Sequence, residues 1–113
     1  MPDTYLSIPR PRVLEGASFT ATAYFKVGEV ATAPTTAKYR VDCLTTGQQL
    51  TDWTSLTVGT SISIAVTATH NAIQNTGNAY EKKQLTVAAD PDGATETRDV
   101  RTWFVENIRT FNS

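Results

Sequence analysis

Two stretches leave this chain few ways to fold. In Ser61-Ile-Ser-Ile-Ala-Val-Thr-Ala-Thr69, Ile62, Ile64, Val66 and Ala68 alternate with Ser61, Ser63, Ala65, Thr67 and Thr69. In Gln84-Leu-Thr-Val-Ala-Ala-Asp90, Leu85, Val87 and Ala89 repeat the pattern. A period of two puts the apolar set on one face of a β-strand and the small polar set on the other. Strands with one apolar face need a second apolar layer to cover them, so a two-layer β protein is expected.

The remaining segments agree. Phe19, Ala21, Ala23 and Phe25 alternate with Thr20, Thr22 and Tyr24, and Tyr39, Val41 and Cys43 form an inward face opposed by Arg40 and Asp42. Leu50 to Leu56 reads as a short strand carrying Trp53, and Tyr80 to Ala89 as a longer one. Thr97 to Ile108 is the last strand, with Val100, Phe104 and Ile108 on one face and Trp103 and Val105 on the other. Glu15-Gly16, Thr46-Gly47-Gln48 and Asp90-Pro-Asp-Gly93 carry turn chemistry, in which Pro presets φ and Gly accepts positive φ. Residues 28–36 and 70–79 read as loops, the second with one helical turn at Asn71-Ala-Ile-Gln pinned by Ile73.

No window of eleven or more residues shows a helical period, and the many threonines favour strands. Seven strands at spacings of roughly eight to fifteen residues indicate a β-sandwich or a small barrel. The clean polar face of most strands favours the sandwich. The inward set is Phe19, Phe25, Tyr39, Val41, Leu50, Trp53, Ile62, Ile64, Val66, Leu85, Val87, Val100 and Phe104. Residues 1–14, with Pro9 and Pro11, form an extended arm or an edge strand, because proline lacks the amide a central strand needs. Residues 15–113 form the domain.

Composition narrows the function. The 113 residues suit one domain, and 40% hydrophobic with 19% charged residues marks a globular chain. A net charge of -1 without a run of one sign argues against nucleic-acid or anionic-membrane partners. Met1 to Arg10 lacks the basic start and apolar core of a signal peptide, and no apolar run nears the ~20 residues of a membrane span. Maturation in a cytoplasm is therefore expected.

Little chemistry is available. Cys43 is the one cysteine, which excludes an internal disulfide and reads as a buried, inert thiol. His70 is the one histidine, so no histidine metal cluster or triad can be assembled in the usual way, and it reads as a solvated loop residue. Asp90, Asp92 and Asp99 lack the ligand spacing of a calcium loop. Lys82 and Lys83 read as guards of an edge strand. Neither cofactor nor metal is expected, and no enzyme. Trp53 reads as core. Trp103 stands beside Phe104, so one of the two points away from the core, and Trp103 faces either a partner or a covering loop.

The order of features resembles a family. The Pro-bearing first strand, Val41-Asp-Cys43, the Trp53 strand, the two alternating stretches and a final hairpin strand resemble an immunoglobulin-like or fibronectin type III-like sandwich. The expected fold is thus an all-β, seven-stranded antiparallel immunoglobulin-like sandwich with an extended N-terminal arm. More narrowly, a copy with neither signal peptide nor disulfide, with Thr/Ala/Val-rich strands and the tail Trp103-Phe-Val-Glu-Asn-Ile108, resembles the small virion-associated structural proteins of tailed bacteriophages. That resemblance implies a non-enzymatic virion component decorating the capsid or sitting at neck or tail. It implies other virion proteins as partners and a homo-oligomer or symmetric array. The partner-binding candidates are Pro9, Arg10, Pro11, Arg12, Trp103 and Val105. The alternative is a glycan- or cell-surface-binding adhesion module.

Overall fold

A computed structural model describes residues 2–108. The strands are β1 (Pro2–Ser7), β2 (Arg12–Leu14), β3 (Phe19–Val27), β4 (Val30–Ala31), β5 (Ala37–Cys43), β6 (Gln48–Ser55), β7 (Ser61–Val66), β8 (Tyr80–Ala89) and β9 (Thr97–Glu106). The described chain is all-β and forms two sheets.

In the four-stranded sheet β3 is central. It pairs antiparallel with β1 over Thr22 to Val27 and with β7 over Phe19 to Tyr24. These ranges overlap, so β1 and β7 occupy opposite sides of β3. The short β4 pairs with Lys26 and Val27 and continues the β7 side. Gly28, at φ 63, opens the two-residue turn between β3 and β4, where a positive φ matches the twist of a hairpin. The five-stranded sheet runs β2-β9-β8-β5-β6. Its pairs are antiparallel except β2 with β9, which is parallel.

Among the described residues the expected seven antiparallel strands are therefore corrected to nine, with one parallel pair, β2 with β9, in the five-stranded sheet. The two additional strands are short. β4 has two residues, and β2 has three, held by Phe104 N–H on the Pro11 carbonyl at 2.9 Å and by Glu15 N–H on the Glu106 carbonyl at 2.9 Å. Residues 2–14 thus supply an edge strand to each sheet, with Pro9 and Pro11 in the crossing between them.

The core lies between the sheets. Leu6, Phe25, Val41, Val66, Leu85, Val87 and Val105 are wholly buried, joined by Ala21, Ala23, Ile62 and Ile64. The period-two reading holds for β3, β5, β7 and β8. It fails in phase on β9, where Trp103 and Val105 point inward while Val100 is exposed and Phe104 only half-buried. The cause lies further along the same face. Thr97, Asp99 and Arg101 share the parity of Trp103 but meet the edge of β1 rather than the core. Leu6 N–H donates to Asp99 Oδ2 at 2.8 Å, the Thr4 and Thr97 hydroxyls pair at 2.5 Å, and the Arg101 guanidinium lies over Tyr5. Polar residues on the inward side of β9 close the sandwich at that edge.

The loop of residues 67–79 is anchored by side chains that point into it. No helix forms at Asn71-Ala-Ile-Gln; the i→i+4 bond falls earlier, from Asn71 N–H to the Thr67 carbonyl at 3.2 Å, though Ile73 is buried as expected. Asn71 joins three parts of the molecule. Its Oδ1 accepts from Trp103 Nε1–H at 2.7 Å, its Nδ2 donates to the Ala17 carbonyl at 2.7 Å, and its carbonyl accepts from Gly16 N–H at 3.0 Å. Trp103 also meets the Phe19 ring edge-on, with centroids 5.3 Å apart.

His70 is buried, which corrects its reading as a solvated loop residue. Its Nδ1 accepts from Thr67 N–H at 3.1 Å, so the neutral ring carries its proton on Nε2 and donates to Thr51 Oγ1 at 2.7 Å. Burial pushes the imidazole below its ordinary 6.5. The unfolded chain then takes up the proton first as pH falls through 6.5, and stability declines until the folded ring also protonates. A His70→Gln variant is expected to lack this slope in a series of urea midpoints against pH; an equal slope in both proteins would refute the assignment.

Candidate binding surface

The outer face of the five-stranded sheet carries two aromatic centres, each dressed with cations. The first is Trp53, on the edge strand β6. Lys38 Nζ lies 4.7 Å from its ring centroid, the Arg98 guanidinium 5.2 Å and the Arg40 guanidinium 5.6 Å. Cross-strand register explains the assembly. Lys38 and Arg98 flank Ala88 from β5 and β9, and Arg40 lies beside Thr86. The long side chains cover the small ones, which is why Ala88 is only 1% exposed on an outer face. A depression here is lined by Arg40, Asp42, Trp53, Gln84, Thr86 and Arg98. The core reading of Trp53 is thereby corrected to a half-buried outer-face residue.

The second centre is Phe104. Tyr80 meets it edge-on at 5.6 Å, and Arg12 and Lys82 each lie 5.7 Å from its centroid. The two centres sit about 20 Å apart along the strands, the rise of the six residues from Lys82 to Ala88.

The charges on this face are unequally compensated. Arg40 pairs with Asp42 at 2.8 Å, Arg98 with Glu96 at 2.7 Å and Arg12 with Glu106 at 3.0 Å. Among the described residues Lys38 and Lys82 have no carboxylate partner, and one stands at each aromatic centre. At the β6 edge, the Trp53 N–H and the Gln49 side chain hold the Asp52 carboxyl below its usual range.

The residues singled out from sequence separate into two groups. Pro9, Arg10, Pro11 and Arg12 are exposed, and Arg12 belongs to the Phe104 centre. Trp103 and Val105 are 1% and 0% exposed, so they are core and offer no docking face. Sequence reasoning missed Lys38, Arg40 and Arg98 around Trp53. The signal was their alternation with inward residues on β5 and β9, which sets them on one face.

The remaining polar chemistry is internal. Glu81 and Lys83 are fully buried and paired at 3.1 Å, which corrects the reading of Lys83 as an edge guard, since β8 lies between β9 and β5. Glu81 accepts from Gln74 N–H at 2.7 Å, Asn75 N–H at 2.9 Å and Asn78 Nδ2 at 3.0 Å. Cys43 is buried beside the pair, with Sγ 3.8 Å from Glu81 Oε1. Asp90 accepts from Thr36 N–H, Asp92 from Ala94 and Thr95 N–H, and Asp99 from Leu6 N–H. Among the described residues no group of three His, Cys, Asp or Glu side chains is placed to hold a metal ion.

No protein-family model matches the chain, and no curated protein matches it in sequence. Among solved structures the chain is similar to Spo0M, a sporulation control protein from Bacillus subtilis, with a TM-score of 0.57 at 10% identity. The match covers 93% of this chain and 49% of that one, so this chain spans about half the length of its structural neighbour. At that identity the likeness is one of fold. It corrects the expectation of a phage virion protein, whether decorating the capsid or part of neck or tail: the neighbour is a sporulation control protein, and nothing in the comparisons indicates a virion component. What the comparisons establish is a two-sheet β architecture shared with part of that protein.

Proposed function

We propose that the chain is a non-catalytic binding module whose working surface is the outer face of the five-stranded sheet, and that it engages an acidic protein surface. The observation that carries this reading is the pair of aromatic centres, each holding one ammonium group, Lys38 or Lys82, without a carboxylate partner. An aromatic ring gives a rigid contact area at low entropic cost, and a cation held over it is already ordered before a carboxylate arrives. Interface hot spots are enriched in tryptophan, tyrosine and arginine, which this face combines.

Polyglutamate serves as the probe. Trp103 is buried and hydrogen-bonded, so a change in tryptophan emission reports Trp53. Titration at low ionic strength is expected to give a saturable emission change that weakens as salt screens the charges. The change should vanish in Trp53→Phe and weaken in Lys38→Gln, with both variants retaining the wild-type circular dichroism. An unresponsive Trp53 at low salt, or a response that survives in Trp53→Phe, overturns the reading.

A further inference from the structure

The edges of the two sheets are not treated alike. The outer side of β1 is closed by Asp99, which accepts the Leu6 N–H. On β6 the Asp52 carboxylate takes the Trp53 N–H at 2.7 Å and leaves a negative charge on the edge. β2 has three residues and follows two prolines, and β4 has two residues. Side-chain caps, charges, prolines and short length are the means by which proteins block unwanted strand pairing.

β7 has none of them. Its six residues, Ser61-Ile-Ser-Ile-Ala-Val66, are uncharged and free of proline, and β3 is its one partner among the described strands. The direction of its backbone follows from the bonds at its ends. Phe25 N–H donates to the Thr60 carbonyl, and Thr67 N–H turns away from β3 to His70 Nδ1. Alternate residues of an antiparallel strand face opposite sides, so Ile62, Ile64 and Val66 bond to β3 while Ser61, Ser63 and Ala65 direct their N–H and C=O groups outward. All three outward residues are exposed and small.

We infer that β7 is a self-pairing edge, and that two copies of this chain join there in antiparallel fashion into one continuous eight-stranded sheet. The register follows from the strand itself. With Ser63 of one copy opposite Ser63 of the other, each Ser61 meets an Ala65, and all three outward residues form hydrogen-bonded pairs across a two-fold axis. Ile62 then lies opposite Ile64 of the second copy, a β-branched pair on the core-facing side. The outer side brings together only serine and alanine, so neither bulk nor charge opposes contact. A symmetric dimer needs such self-complementarity. The interaction is independent of the cation-bearing face, which lies on the other sheet.

Sedimentation velocity over a concentration series tests this. The wild-type protein is expected to sediment as a dimer, and Ser63→Pro and Ser63→Lys as monomers. The Ser63 N–H is not used by β3, so proline there removes only the outward bond, and unchanged circular dichroism verifies the fold. Under oxidising conditions Ser63→Cys is expected to cross-link two copies, because Cα atoms of a hydrogen-bonded antiparallel pair stand about 5.5 Å apart, within disulfide reach. Ser61→Cys should not cross-link, since the two positions are separated by about 13 Å along the strands. A wild-type monomer throughout, a dimer that persists in both Ser63→Pro and Ser63→Lys, or cross-linking at residue 61 in place of 63 overturns the inference.

Discussion

Glu81→Ala is expected to lower stability by about 3–5 kcal/mol, the usual cost of removing one member of a buried ion pair. Lys83 would keep the Ala72 carbonyl, 2.8 Å from Nζ, but lose the buried carboxylate it pairs with. The Gln74 and Asn75 amides would lose their acceptor as well, so the loop of residues 67–79 should open to hydrogen exchange. Urea denaturation gives the magnitude. A Glu81→Leu/Lys83→Met double variant separates the charge from the space it fills: it should recover much of the loss, since an apolar pair leaves no unpaired ion. A single variant within 1 kcal/mol of wild type, on the scale typical of exposed pairs, would show that the pair carries no such weight.

The same carboxylate sets the acid limit. Burial pushes the Glu81 carboxyl up, but the Gln74 and Asn75 amides, the Asn78 side chain and the Lys83 ammonium outweigh it and hold the pKa down at about 2. A carboxyl depressed on folding adds stability above its unfolded value of 4.5, lost as pH falls from 4.5 to about 2. The contribution is on the order of 3 kcal/mol, at about 1.4 kcal/mol per pKa unit. It should be missing from Glu81→Ala, whose acid transition loses this component while retaining that of His70.

Trp103→Ala is the second large effect, at about 3–5 kcal/mol for truncating a buried aromatic side chain. Two losses combine: the edge-on contact with Phe19, and the donor that satisfies Asn71 Oδ1. Trp103→Phe divides them. It keeps a ring against Phe19 but orphans the Asn71 oxygen, at about 1–3 kcal/mol for an unsatisfied buried acceptor. Thermal melts of the two variants should rank Trp103→Ala below Trp103→Phe and both below wild type. A Trp103→Ala protein that melts as wild type would return Trp103 to the surface.

That residue also marks where the sequence was legible. On β3, β5 and β7 the inward residues are apolar along most of the strand, so period two alone assigned the faces. On β9 the inward parity runs Thr97, Asp99, Arg101, Trp103, Val105, and only its second half meets the core. The opposite parity, Arg98, Val100, Thr102, Phe104 and Glu106, carries as many apolar residues, so the pattern alone does not separate the two faces and Phe104 reads as core as readily as Trp103. On β8 the inward parity begins with Glu81 and Lys83 before Leu85, and two buried charges are indistinguishable in sequence from two solvated ones. The three residues of β2 carry no periodicity, so a parallel neighbour for β9 had no local signal. The cationic face was present in the alternation of Lys38, Arg40 and Arg98, but Trp53 on a separate strand joins them only through the sheet.

The closure between β1 and β9 bears on how the molecule comes together. Thr4 and Thr97, and likewise Leu6 and Asp99, are 93 positions apart along the chain. Bringing such distant points together costs about 4 kcal/mol of loop entropy beyond a constant term, before any contact repays it. β9 also pairs with β8 and β2 and supplies the indole on which Asn71 and Phe19 rest. That strand completes the five-stranded sheet and closes against the β1 edge of the other. A fold whose two sheets are joined by contacts this distant along the chain belongs by topology with the slow β proteins rather than with those that zip from local contacts.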